Sequence, residues 1–269
     1  MLHLRPGVAT DYPDFARLFP ALTAEHAPPT ESRWIAEMMP TTLIAELGGA
    51  TVGYLYGQFL AETGYVRQLV VAPQARGRGI GRALLLAVGG DFRRRGLARW
   101  CLNVRPDNVA ALRLYASVGM APTFESLFLR FADWAQIDAL PADPPGVTAG
   151  TWSPDEDTRG EAELDLMAGM LTDARERKGR VARVLRDGAR FVGAGVLDPD
   201  LPGVSPFVVA TSPPPEALAG ALLRALRPFR RPDLAHIEVR VEANPPLAAL
   251  LLAAGATERL RAWRYEGAL

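Results

Sequence analysis

The segment Gln74-Ala75-Arg76-Gly77-Arg78-Gly79-Ile80-Gly81 places a glycine-rich turn between an apolar strand and an apolar-periodic helix. We expect the strand at Tyr65–Val71 and a helix that runs to about Arg95, where Gly96 ends it as a left-handed cap. In a strand–turn–helix unit, unpaired amide hydrogens and the positive end of the helix dipole point at the same place. The segment therefore predicts either a phosphate-binding loop or a purely structural glycine turn.

The residue types in this loop indicate which phosphate group it could bind. Glycine allows close backbone approach to a pyrophosphate, and three flanking arginines can add positive charge. They are Arg76, Arg78 and Arg82. No Lys-Ser/Thr pair follows the glycines, so the loop is not of the kind that binds nucleoside triphosphates. The spacing of the glycines also differs from that of the dinucleotide-binding fingerprint.

A second motif follows in Asn108-Val109-Ala110-Ala111-Leu112-Arg113-Leu114-Tyr115. Steps of three and four residues put Asn108, Ala111 and Tyr115 on one side of a helix, so they can meet a common ligand. By itself Tyr115 is either a packed aromatic residue with a hydrogen-bonded hydroxyl group or a general acid.

In this order and separation, the two motifs resemble those of the GNAT superfamily of N-acetyltransferases. The family's loop stands here as Gln74-x-x-Gly77-x-Gly79, and its helix as Asn108…Ala111…Tyr115…Gly119. The resemblance covers about Leu2–Arg130 and continues weakly beyond. It implies an α/β fold with a mixed, mostly antiparallel sheet flanked by helices.

The resemblance also implies a cofactor, acetyl-CoA, and the residues that would bind it. Backbone groups of Leu69, Val70 and Val71 would hold the pantetheine arm and the acetyl carbonyl, and the loop would wrap the pyrophosphate. Asn108 would hydrogen-bond the coenzyme, and Tyr115 would face its sulfur as general acid. The full predicted set is Leu69, Val70, Val71, Gln74, Arg76, Gly77, Arg78, Gly79, Ile80, Gly81, Arg82, Asn108, Ala111 and Tyr115.

The general base is less well marked. Many family members carry a glutamate on the strand before the loop, but Tyr65-Val66-Arg67-Gln68 contains no carboxylate. Glu62, just upstream, is the candidate base, acting through water, or else a solvated hairpin residue. Glu25 and His26 either line the acceptor cleft or belong to a surface loop.

The second half of the chain repeats the order of elements of the first. The proline-rich stretch 141–146 predicts a linker, which gives a GNAT domain at 1–140 and a degenerate copy at 147–269. Asn244…Gly255 repeats the spacing of Asn108…Gly119, with Leu251 opposite Tyr115. Prolines fill the equivalent loop and lack amide hydrogens, so this copy should keep its fold without binding coenzyme.

Composition excludes several other classes of protein. Among 269 residues, 30 basic and 30 acidic side chains give no net charge to attract nucleic acid or a membrane. The single cysteine, Cys101, excludes an internal disulfide, and the scattered histidines predict no metal site. No segment resembles a signal peptide or a membrane span, which favours a cytoplasmic protein.

Together these observations predict an acetyl-CoA-dependent N-acetyltransferase that acts on a primary amine of a small molecule or peptide. The alternative is a non-catalytic acyl-CoA-binding sensor. Paired domains would pack as a pseudo-dimer within a monomer, or the chain would form a homodimer.

Overall fold

A computed structural model describes residues 1–22, 27–200 and 203–269. The chain forms two compact units: unit 1 contains Met1–Thr123 and Arg264–Leu269, and unit 2 contains Phe124–Trp263. These limits differ from the domains 1–140 and 147–269 expected from the sequence. The stretch 141–146 lies inside unit 2, where the Arg224 Nε atom donates to Asp143 Oδ1 at 2.8 Å. This segment is therefore held against a helix of its own unit.

Unit 1 contains a five-stranded arrangement flanked by helices, in the order β1–β2–β3–β4–β5. Pairing is antiparallel except between β4 and β5, which are parallel. The strands are β1 Leu2–Pro6, β2 Thr42–Leu47, β3 Ala50–Phe59, β4 Thr63–Val71 and β5 Arg99–Val104; the helices are α1 Tyr12–Leu18, α2 Glu31–Arg33, α3 Ile80–Arg94 and α4 Val109–Ala116. These bounds confirm the strand and helix that were predicted on either side of the glycine-rich turn.

Helix α3 covers one face of the sheet of unit 1. The Phe92 ring occupies the space above Gly64 and Gly57, where a side chain would collide with it or press against it. Successive residues of a strand point to opposite faces, so Tyr65 and Gln58 point away from α3. The alternation is interrupted after Val66, where the register with β3 shifts by one residue at Arg67.

The parallel pairing of β4 and β5 ends before β4 does. Register runs from Thr63 opposite Arg99 to Val66 opposite Leu102, whereas β4 continues to Val71. The sheet therefore opens beyond Val66, in front of the glycine-rich turn.

Unit 2 has the strand order β12–β6–β11–β10–β9–β8–β7, and β12 belongs to it only up to Trp263. Its elements are β6 Ala121–Phe131, which begins in unit 1, β7 Val147–Gly150, α5 Asp157–Glu163, α6 Met170–Glu176, β8 Val181–Asp187, β9 Arg190–Asp198, β10 Gly203–Val209, α7 Pro215–Leu226, β11 Ile237–Glu242, α8 Pro245–Ala253 and β12 Thr257–Ala268. The segment between β7 and β8 forms two separate helices, α5 and α6. Gly169, at φ 86°, separates α5 from α6, and the Glu161 carboxylate accepts the N–H groups of Gly169 and Leu171 at 2.9 and 2.8 Å.

The Asn-to-Gly spacing shared by the two halves has a structural meaning. Asn108 Oδ1 accepts the Ala111 N–H at 3.1 Å, and Asn244 Oδ1 accepts the Leu247 N–H at the same distance. Gly119 and Gly255 follow the two helices with φ of 84° and 98°. Each motif therefore caps both ends of one short helix.

The end of β12 belongs to unit 1, where it lies beside β5. The Leu269 N–H donates to the Ala98 carbonyl at 3.0 Å, and Arg264 Nη1 contacts the Cys101 sulfur at 2.8 Å. The sequence had assigned this strand to the second domain. Residues Arg264–Leu269 instead complete the sheet of the first unit.

Candidate active site

Unit 1 holds a cavity of about 530 Å³ between the end of β4, the glycine-rich turn and α4. Its lining residues are Ala21, Leu22, Leu69, Val70, Val71, Ala75, Arg76, Gly77, Gly79, Ile80, Gly81, Arg82, Asn108, Ala110, Ala111, Leu114 and Tyr115. The cavity brings together most of the residues selected from the sequence. Gln74, Arg78 and Glu62 are not in its lining. Leu22 and Leu114 were not selected, because an apolar residue in a helical pattern carries no sign that it faces a ligand.

The glycine-rich turn has the backbone of an anion site. Gly77 and Gly79 adopt φ of 76° and 75°, a region that side chains disfavour, and Gly79 is the N-cap of α3. The first bond into the helix is from the Ala83 N–H to the Gly79 carbonyl. The preceding amides, from Ile80 to Arg82, come before the repeating bonds of the helix and can bind an anion.

Gly81 has a different role from the two glycines before it. A Cβ atom there would lie 3.0 Å from Leu114 Cδ2, tighter than ordinary packing allows. Its missing side chain lets α3 and α4 approach each other beside the cavity. The third glycine of the motif therefore serves helix packing.

Charge at the cavity comes from arginines of the turn. Arg76 and Arg82 line it, and Arg76 Nε donates to the Val71 carbonyl at 3.1 Å. This bond ties the turn to the end of β4, where the sheet has opened. Arg78 carries charge nearby without lining the cavity.

Tyr115 lies on α4 and is almost completely buried in the cavity wall. Burial raises the pKa of its phenol to about 12. Its ring centroid is 6.2 Å from that of Tyr265, which the end of β12 contributes. Tyr265 could not be found from the sequence, because nothing in the local pattern brings a residue so distant in the chain to α4.

Asn108 and Ala111 both line the cavity, but their polar groups are partly committed. The Ala111 N–H is bonded to Asn108 Oδ1, as the helix cap requires. The Asn108 amide nitrogen is the part of this side chain left to face a ligand.

The structure does not bring Glu62 to the cavity. Its side chain is 70% exposed, and its carboxylate lies 3.9 Å from Arg99 Nη2. The geometry therefore gives no support to Glu62 as general base and matches its alternative as a solvated hairpin residue. Glu25 and His26 lie outside the described residues. Within the part that is described, the cavity lining contains no acidic side chain and no histidine.

The equivalent positions of unit 2 are built differently. Leu251 is fully buried in the core of that unit. Helix α7 begins at Pro215, with Pro214 as its N-cap, so prolines stand where unit 1 has free amides. Across the described ranges there is no cluster of three or more metal-ligating side chains and no helix that could cross a membrane.

Residues 12–120 match the family model described as the acetyltransferase (GNAT) family. Unit 1 therefore belongs to the GNAT family.

Two solved structures are similar over both units and have GNAT names. One is a tandem GNAT protein from the clavulanic acid biosynthesis pathway, with TM-score 0.67 and 24% identity over 100% of this chain and 98% of that chain. The other, a GCN5-related N-acetyltransferase from Sphaerobacter thermophilus, has TM-score 0.68 and 18% identity over 99% and 95%. At these identities they establish the fold alone.

Curated relatives match this chain over shorter stretches. An L-2,4-diaminobutyric acid acetyltransferase from Nocardia farcinica is 33% identical over 88 residues, 32% of this chain and 46% of that protein. A mycothiol acetyltransferase from Thermobispora bispora is 40% identical over 83 residues, 28% of each chain. The chain therefore spans less than half the length of either relative that it matches.

Proposed function

We propose that the protein is an acetyl-CoA-dependent N-acetyltransferase whose site lies in unit 1. One observation carries the proposal: a single cavity has free helix amides and left-handed glycines in one part of its wall and Tyr115 in another. An extended coenzyme needs both parts, one to bind its pyrophosphate and one to face its thioester. The membership of residues 12–120 in the GNAT family supports the same assignment.

The residues of the turn fit the phosphate end of acetyl-CoA. Backbone amides of Ile80, Gly81 and Arg82 would bind the pyrophosphate, and the Arg82 side chain would add charge. The end of β4, from Leu69 to Val71, has left its parallel partner and offers backbone groups to the pantetheine arm. The cavity is large enough for part of the coenzyme, and we expect the remainder to extend into solvent.

Tyr115 would supply the proton in the proposed reaction. Acetyl-CoA provides a thioester, whose C–S bond breaks as an N–C bond to the acceptor amine forms. Tyr115 Oη would donate its proton to the departing sulfur and take one back from solvent, while the amine loses its proton to solvent. Burial keeps the phenol protonated, so the acid form of Tyr115 is the one present when the thiolate leaves.

The acceptor would be a primary amine of a small molecule or peptide. The two curated relatives are named for diaminobutyric acid and mycothiol, and neither name transfers to this chain by itself. Unit 2 would keep the fold without coenzyme chemistry, because Leu251 has no proton to give and its loop has prolines.

Calorimetric titration with acetyl-CoA should give one site per chain, and Gly79→Val should weaken the affinity by about 100-fold or more. Valine at φ 75° is strained, so the turn must shift and loses charge-assisted bonds to the phosphates. Gly90→Val is the matched control, since Gly90 lies in α3 away from the turn and has no positive φ. Two equivalent sites, or equal affinity for Gly79→Val and the parent, would contradict the assignment.

The dependence of kcat on pH should show no loss from ionisation of Tyr115 below about pH 10. The active acid is the neutral phenol, the low-pH form, so raising its pKa from about 10 to about 12 extends activity upward. At pH 10 nearly all of the phenol stays protonated, whereas an unshifted tyrosine would be about half ionised. Steady-state rates from about pH 7 to about pH 10.5, with circular dichroism as a folding check, measure this. A half-maximal rate at pH 10 from a folded enzyme would be inconsistent with it.

A further inference from the structure

Unit 1 has a second group of polar side chains, on the sheet face that points away from α3. We refer to it as the polar face; it comprises Tyr65, Arg67, Cys101, Asn103, Arg264 and Glu266. Gly64 and Gly267 face the opposite side of the sheet. A side chain at Gly64 would collide with Phe92, and one at Gly267 would collide with Trp100. Their neighbours Tyr65 and Glu266 therefore point the other way.

Contacts within the polar face centre on Tyr65. The Arg67 Cζ atom lies 4.4 Å from the centroid of its ring, and the Arg264 Cζ atom lies 4.8 Å from it. Asn103 Nδ2 donates to the Tyr65 hydroxyl oxygen at 2.7 Å. The ring thus holds the two guanidinium groups in place, which reduces the entropy that Arg67 loses on binding a ligand.

The polar face carries an excess of positive charge. Its arginines are Arg67 and Arg264, and its one carboxylate is Glu266. Cys101 adds no negative charge, because burial raises the pKa of its thiol although Arg264 acts in the opposite direction. Arg264 is 1% exposed, whereas Arg67 is only partly buried. Over residues 1–22, 27–200 and 203–269, no carboxylate forms an ion pair with Arg67.

The position of Arg67 connects this charge with the proposed reaction. Arg67 follows Val66, where the parallel pairing with β5 ends, and precedes Leu69, which lines the cavity. The pairing of β4 with β3 shifts at Arg67, from Val66 opposite Gly57 to Gln68 opposite Tyr56, so Arg67 is an extra residue of the strand. Two residues of extended chain place its Cα at most about 7 Å from that of Leu69. If the amino group of an acceptor lay at the opening of the sheet, the other end of the acceptor molecule would be within reach of the Arg67 side chain.

We propose that the acceptor carries a carboxylate as well as the amine, and that Arg67 binds this carboxylate at the polar face. The inference rests on the proposed acetyltransferase function and specifies its substrate class. A planar guanidinium held over a tyrosine ring presents a fork that matches the two oxygens of a carboxylate. Arg67 therefore determines specificity, and Arg264 beneath it contributes to the positive field.

The test compares amino acids with amines that differ only in lacking the carboxylate. Lysine is paired with cadaverine and ornithine with putrescine, and released thiol gives kcat and KM. The parent should prefer the carboxylate member of each pair by about 10-fold or more in kcat/KM. Arg67→Gln should lower kcat/KM for the amino acids by about 10- to 100-fold, mainly through KM, and for the diamines by less than about 3-fold.

Two further variants separate charge from folding. Arg67→Lys keeps the charge and should retain part of the preference, whereas Arg99→Gln, at an exposed arginine of the same sheet, should leave it unchanged. The KM for acetyl-CoA should be the same in all of them. Calorimetric binding of lysine to the protein with coenzyme A should show the same order of affinities without turnover.

The outcomes distinguish this inference from the proposal on which it rests. Equal use of both members of each pair, or equal losses for both in Arg67→Gln, overturns the carboxylate subsite and leaves the acetyltransferase intact. Absence of thiol release for these four compounds and for a broad panel of other amino acids, amines and peptides overturns the acetyltransferase assignment, and the subsite with it.

Discussion

Tyr115→Phe should lower kcat by about 10²- to 10⁴-fold while the KM for acetyl-CoA changes by less than about 2-fold. The range is that expected for losing a general acid, and the phenylalanine ring fills the same buried volume. Because the ring is retained, the cavity wall and the helix should be unaffected. Single-turnover kinetics with saturating acetyl-CoA would measure the chemical step separately from product release.

Tyr265→Phe is the matched control for this prediction. It removes a hydroxyl group from the ring that lies 6.2 Å from Tyr115, and we expect a change in kcat of less than about 3-fold. If Tyr115→Phe were as active as Tyr265→Phe, Tyr115 would be a packing residue, and the proton would come from another group or from water.

A chain that ends at Trp263 should lose acetyl-CoA binding, although its N-terminal motifs are intact. The deleted residues Arg264–Leu269 border β5, contact Cys101 and place Tyr265 against Tyr115. Removing a border strand with a buried tyrosine costs about 3–5 kcal/mol, a large part of the stability of a small domain. We therefore expect the unfolding temperature of unit 1 to fall by about 10 °C or more.

The control for the truncation is a chain that ends at Ala268, which loses the bond from the Leu269 N–H to Ala98 and one side chain near Gly89. Its affinity for acetyl-CoA should stay within about 3-fold of the parent. Calorimetry and thermal unfolding of the two truncated chains, side by side, measure the difference. Full binding by the shorter chain would mean that the end of β12 is dispensable to unit 1.

Because unit 1 includes Arg264–Leu269, the coenzyme binding of an N-terminal fragment does not test the motifs alone. A fragment that ends near Ala142 preserves the N-terminal domain predicted from the sequence, but it lacks Arg264–Leu269. Loss of coenzyme binding in such a fragment would reflect the missing strand. We therefore expect unit 1 to need both of its chain segments in order to fold by itself.

The sequence predicted the local parts of the site because local rules determine them. Gly77 and Gly79 adopt the left-handed backbone that a glycine-rich turn requires, and α3 begins directly after them. Asn108 and Gly119 cap α4 at the two ends that their spacing indicated. Each of these features depends on residues within a few positions of one another.

The remaining features depend on contacts between distant segments, which periodicity cannot reveal. Nothing in the pattern of β12 indicated that its end would join unit 1, so Arg264 and Tyr265 were not considered for the site. Glu62 was selected for its position upstream of the loop, and the structure shows its side chain in solvent. The break between α5 and α6 depends on the Glu161 carboxylate reaching the Gly169 N–H.

The most direct test of the central claim is release of coenzyme A thiol from acetyl-CoA across a panel of amines, with the amide product measured in parallel. We predict amine-dependent release, with one thiol formed for each amide, and a rate that falls in Tyr115→Phe. Tight binding of acetyl-CoA without amine-dependent release over a broad panel of amino acids, diamines and peptides would contradict the account. That result would make the protein an acyl-CoA-binding sensor.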